Sequence, residues 1–169
     1  RGKPYNGDFT IPITLGYDRL IGNPYPSAMD ADEFIKDNIR DNGRNTTGNI
    51  FNGTIYYWNH FGEKDSHILR EYVGGYATYN LTGKASAYSN DTRIDHSNPN
   101  NTDSKEPEQY IPVGQGFFVI AALDPDIAGT TATVSGGNIV FKNSQRAFKT
   151  EGSGESVFMK SANVKNKFF

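Results

Sequence analysis

The chain has no cysteine, which excludes a disulfide framework, a thiolate metal site and a cysteine nucleophile. Histidine is scarce, with only 3 in 169 residues, so few side chains can exchange protons near neutral pH. No apolar run approaches the roughly 18 residues needed to cross a bilayer, and no charged-then-apolar leader opens the chain, so membrane insertion is not expected. There is no basic run either. The 17 basic and 19 acidic residues are scattered and give a net charge of -2. Nothing in that pattern tracks phosphates, and nucleic acid is not an expected partner. The first residue is Arg1 rather than Met, so the chain is expected to be cut from a longer polypeptide.

What is abundant points to strands. Tyr (10) and Phe (11) favour half-buried pleated surfaces, while Gly (18) and Pro (8) mark turns. The length suits one domain over 1–169, able to bury roughly 70% of the surface of its unfolded form. Phe9, Ile11, Ile13 and Leu15 alternate with Thr10, Pro12 and Thr14, the period of a strand with one buried face. Pro12 cannot donate to a ladder, which predicts an edge strand. Thr54 to His60 is the most aromatic strand candidate, and Tyr76 to Leu81 reads as another. Ile111 to Ala122, apolar throughout its second half, predicts a central strand covered on both faces. Thr130 to Val134 and Asn138 to Phe141 flank Ser135-Gly136-Gly137 and predict a hairpin. Arg146 to Lys149 and Val157 to Lys160 add two short strands. Residues 86–109 are too polar to bury anything and predict one long surface loop. The expected fold is all-β, a jelly-roll-like β-sandwich of about eight strands with one short helix.

That helix follows "LIGNPYPSAMDADEFI", residues 20–35, where Asn23-Pro24-Tyr25-Pro26 halts an extended run. Ser27 is the expected cap, with Asp30 at the third helical position as in a capping box. Asp30, Asp32 and Glu33 then fall where free amides and the helix dipole favour negative charge. This architectural reading competes with a metal loop and with a catalytic pair.

Five ordered motifs, "LIGNPYPSAMDADEFI", "GTIYYWNHF", "GGYATYNLTG", "YIPVGQGFFVIA" and "IVFKNSQRAF", resemble the domain that precedes the C-terminal sorting domain in large secreted proteins of the Bacteroidetes. Those proteins are cargo of the type IX secretion system. The resemblance runs from about Asn6 to Phe169 and implies a noncatalytic, adhesin-like module, secreted or held at the cell surface. It supplies no catalytic residues. The polar stretch 86–109 is longer than the family's pattern, and the sorting domain, through which the secretion machinery would be engaged, is not among these 169 residues, as expected of a fragment.

His60, His67 and His96 sit in different surroundings, and neither a G-x-S-x-G elbow nor an H-E-x-x-H helix is present. Glu63 with Asp65 mimics a glycosidase pair but fits a solvated loop. Gly114-Gln115-Gly116 lacks the third glycine of a dinucleotide motif, because Val119 stands there. Asp124-Pro125-Asp126 opens like an EF-hand loop, yet Ala128 brings no oxygen and Ser135 replaces the bidentate acid. Calcium held by loop carboxylates and backbone carbonyls remains an expectation, with Asp30, Asp32, Asp124 and Asp126 as its ligands. The sequons at Asn45, Asn52, Asn80, Asn90 and Asn100 reflect loops rich in Asn and Thr.

The aromatic strand is the foremost ligand candidate. If Tyr57 points inward, Tyr56, Trp58 and His60 point outward together. Tyr56, Trp58 and His60, joined by Tyr76 and Tyr79, would then stack on a cell-surface glycan or polysaccharide. The competing reading places Trp58 in the core. A structural spacer and a glycan-acting hydrolase are the alternative functions.

Overall fold

The computed structural model describes residues 3–61, 73–87, 106–122, 133–150 and 154–159, with the backbone alone at positions 60, 61 and 73. It is an all-β, sandwich-like fold with ten strands and one α-helix among the described residues. The larger layer is antiparallel, in the order β2 (Asp18–Gly22), β8 (Gly116–Ile120), β4 (Ile55–Phe61), β5 (Val73–Asn80), β6 (Gly83–Ala85). Facing it are the pair β1 (Phe9–Ile13) and β9 (Gly137–Phe141), the sheet β10 (Arg146–Ala147), β3 (Ala28–Asp30), β7 (Tyr110–Ile111), and helix α1 (Ala31–Asn38).

Phe34 of α1 lies at the meeting point of these parts. Its ring is 5.6 Å from Phe117 of β8, 5.1 Å from Phe141 of β9 and 5.9 Å from Phe51. Ile21, Ile55, Tyr57, Ala77, Phe117 and Val119 turn inward from the larger sheet and are buried around it. Strand β1 keeps its predicted period, with Ile13 buried and Thr10 and Pro12 exposed. Among the described residues it pairs with β9 alone, Pro12 opposite Asn138, consistent with the missing N–H.

The helix begins later than the sequence suggested. Ala28–Asp30 is strand β3, held between β10 and β7, and this pairing displaces Ser27 from the cap. Asp30 is the cap instead: Oδ1 accepts from the amides of Asp32 (2.9 Å) and Glu33 (3.2 Å). The hydroxyl of Ser27 meets Arg146, and its carbonyl accepts from Asn23.

Three other expectations are corrected. Gly137–Phe141 pairs with β1 rather than with its own upstream segment; Val134 makes an isolated parallel bridge to Asn49, and 130–132 lie outside the described residues. Residues 157–159 form no strand, because the amide of Met159 donates to the side chain of Gln115. Strand β8 is central, but its two faces are not both buried: Phe117 and Val119 are buried, whereas Phe118 and Ile120 are partly exposed on the other side. Of the long polar loop, 88–105 lie outside the described residues.

Buried asparagines fasten the loops to this frame. Asn38 donates to the carbonyls of Phe34 and Val140 and accepts from the Val140 amide, so its side chain stands in for a strand partner of β9. Asn23 donates to Ser27, Ile111 and Pro112 while accepting from the Tyr25 amide.

Candidate functional site

Alternation along β4 sends Ile55, Tyr57 and Asn59 into the core. Tyr56 and Trp58 therefore stand on the outer face. Register continues that face sideways: Trp58 lies opposite Tyr76 of β5, Tyr56 opposite Phe118 of β8, and Phe118 opposite Leu20 of β2. Trp58 and Tyr76 are each 45% exposed and Leu20 is 61% exposed. Tyr76 gathers the cluster by edge contacts, its centroid 5.1 Å from Trp58, 6.4 Å from Tyr56 and 5.8 Å from Phe118. Asn52 donates to the Tyr56 hydroxyl at 2.8 Å, which fixes that ring.

Gly74 seats the tryptophan. A Cβ added there would lie 2.4 Å from Cζ2 and 2.9 Å from Cε2 of Trp58, so the six-membered ring of the indole covers the glycine directly. One part of the ring is sheathed by backbone and the rest meets solvent. The cluster carries no formal charge.

The expected ligand residues divide as follows. Tyr56, Trp58 and Tyr76 come together on the outer face. The backbone of His60 pairs with Gly74, and its side chain lies outside the described residues, as do His67 and His96. Tyr79 does not join them. It sits opposite Ile55 on the inner side, and its hydroxyl donates to Asp32 at 2.8 Å. Burial, followed by that contact with Asp32, pushes the Tyr79 hydroxyl well above its ordinary value. Phe118 and Leu20 were missed because the apolar half of β8 reads as doubly covered; strict alternation along Gly116–Ile120 was the signal that placed Phe118 outward.

For a cation, Asp30 and Asp32 offer oxygens that are already engaged. Asp30 caps the helix and also receives Gln109 at 3.2 Å, and Asp32 receives Tyr79. A calcium ion there would compete with the cap. Asp124 and Asp126 lie outside the described residues. Among the described residues no group of three or more His, Cys, Asp or Glu side chains is placed to hold a metal.

A second cluster surrounds Asp37, whose side chain is 3% exposed. Its Oδ1 accepts from Arg44 Nε and from Lys142 Nζ, both at 2.9 Å, and its Oδ2 accepts from Gln145 at 2.9 Å. Burial pushes the carboxyl up, but the hydrogen bonds from Arg44, Gln145 and Lys142 outweigh it and hold Asp37 below the usual carboxylate range. No sequence signal announced this cluster, since Arg44 and Lys142 are far apart along the chain.

The family model of a domain of unknown function, DUF8693, matches residues 1–168, and the chain belongs to that family. No curated protein and no solved structure matches it.

Proposed function

We propose that this domain is a noncatalytic module of a secreted or cell-surface bacterial protein, and that it contacts carbohydrate through the outer face of its larger sheet. The observation that carries the reading is the uncharged ring cluster of Trp58, Tyr76, Tyr56 and Phe118 on the outer face of the larger sheet, where Trp58 and Tyr76 are exposed. Rings of this kind stack on the apolar C–H faces of sugars, while fixed hydroxyls such as that of Tyr56 supply direction. An uncharged ring cluster suits a neutral polysaccharide. The extracellular setting, and passage through type IX secretion with a following sorting domain, are supported by the five-motif resemblance alone.

The spacer reading expects Trp58 in the core, and its 45% exposure favours glycan contact instead. The hydrolase reading expects a cleft that gathers histidine with acids. The cleft beside Asp37 gathers Arg44 and Lys142, whose bonds leave its carboxylate a poor proton acceptor.

A glycan array of neutral polysaccharides, probed with the parent chain and with Trp58→Ala, tests the proposal. Binding by the parent that falls at least tenfold in the variant is expected. No binding by the parent, or equal binding by both, removes it.

A further inference from the structure

Across the core from the aromatic face, the turn after α1 and the first half of β9 line a shallow, open cleft of about 540 Å³. Its size is that of a small-molecule site. Asp37 holds two cations side by side there, because Arg44 and Lys142 bond the same oxygen. Both remain accessible, with side chains 48% and 38% exposed. Lys142 Nζ has one hydrogen-bond acceptor for its three protons among the described residues. Arg44 also reaches Glu33 through Nη2, at 2.7 Å, while Nη1 makes no hydrogen bond among the described residues.

The charge count selects the ligand. Glu33 is shared between Arg44 and Lys36, and Asp37 is the sole acid lining the cleft among the described residues. Across the network, three cations (Arg44, Lys142 and Lys36) against two carboxylates (Asp37 and Glu33) leave one positive charge, which complements a monoanion better than a dianionic phosphate. Around the charges stand Thr46, Thr47, Ser135 and Asn138, a rim of hydroxyls and amide with no aromatic side chain. Such a rim suits a ligand rich in hydroxyls.

We propose that this cleft is a second binding site, for an acidic sugar, with Arg44 and Lys142 receiving the carboxylate and the Thr46, Thr47, Ser135 and Asn138 rim receiving the hydroxyls. It uses none of the outer-face residues and stands whether or not that face binds glycan.

The test is an amide NMR titration of the full chain with D-glucuronate, D-glucose and sodium sulfate at constant ionic strength. Saturable shifts confined to the amides of Thr46, Thr47, Ser135 and Asn138 are expected with glucuronate and not with glucose. Removing Lys142 would disturb Asp37 and the fold, so the variant is Asn138→Asp, an exposed position where the added charge faces the ligand. It should weaken glucuronate about tenfold at unchanged stability. The site is overturned if glucuronate leaves those amides unmoved, if glucose moves them equally, or if Asn138→Asp binds as the parent does. Sulfate binding as tightly as glucuronate would overturn the sugar assignment.

Discussion

Gly74→Ala adds a single methyl group beneath the only tryptophan of the chain. The new Cβ would sit 2.4 Å from Cζ2 of Trp58 and 2.6 Å from the backbone oxygen of Asn59. Ordinary carbon contacts are about 3.5–4.0 Å, so the indole must move by roughly 1 Å. The Asn59 oxygen belongs to β4, the strand paired with β5, and cannot swing aside as a side chain could. Overpacking of this kind costs about 1–3 kcal/mol. Alanine also restricts the unfolded chain, which returns about 0.4–1 kcal/mol. The clash wins, and a net loss of about 1–2 kcal/mol is expected, or about 2–8 °C in Tm for a chain of this size. Urea unfolding followed by circular dichroism measures the loss, while the emission of Trp58 reports the displaced ring without interference. A variant as stable as the parent, with an unchanged emission spectrum, would refute the claim that Gly74 seats the indole.

Two pH limits follow from the buried groups. Asp37 titrates below the ordinary carboxylate value of about 3.9, so its contribution is complete above that value and is lost as pH falls through the folded pKa. Asp37→Asn should cost about 3 kcal/mol at neutral pH, the low end for a broken buried pair because its cations reach solvent, and should flatten the acid limb of a stability-against-pH curve. An acid limb as steep as the parent's would count against the assignment. At the other extreme, burial, with Asp8 second, pushes Tyr25 up to about 12 against an opposing Arg146, and burial also raises Tyr57 and Tyr79. Their stabilisation is present in full below the unfolded tyrosine value of about 10 and is lost as pH rises from there toward 12. Tyrosinate absorbance with parallel circular dichroism should show part of the phenolate appearing only on unfolding; titration of all ten tyrosines near pH 10 in the folded chain would contradict it.

Local pattern made much of this legible. The alternation of Phe9 to Ile13 and of Ile55 to Asn59 is a property of neighbouring residues, and both strands formed; it fixes which residues share a face, but not which face of β4 is buried, and Trp58 could equally have been read as core. The same rule separates Tyr76 from Tyr79, because an odd spacing of three cannot share one face of a strand, and grouping them overlooked it. The helix start was hidden for another reason. Whether Ala28–Asp30 winds or extends depends on strands at Tyr110 and Arg146, distant in sequence, and their pairing overrides the capping preference of Ser27. The Asp37 cluster was hidden in the same way, since a carboxylate held by Arg44, Lys142 and Gln145 has no spacing to recognise.

The apolar outer face of β8 and β4 calls for a separate cause, because the inner face already meets the needs of folding. Phe34 and the rings about it close the core without help from Trp58 or Phe118, and exposed aromatics on a flat sheet invite aggregation. The edges of the sheet answer that hazard. Strand β6 is three residues long, with Lys84 bound to Glu108 at 2.7 Å, and on β2 the guanidinium of Arg19 donates to the carbonyl of Pro12 in β1. With strand addition discouraged at both edges, the face stays open to a ligand that stacks on rings rather than extends the ladder. The proposed sugar ligand meets that requirement, because sugar rings present C–H faces to aromatics and have no backbone to pair.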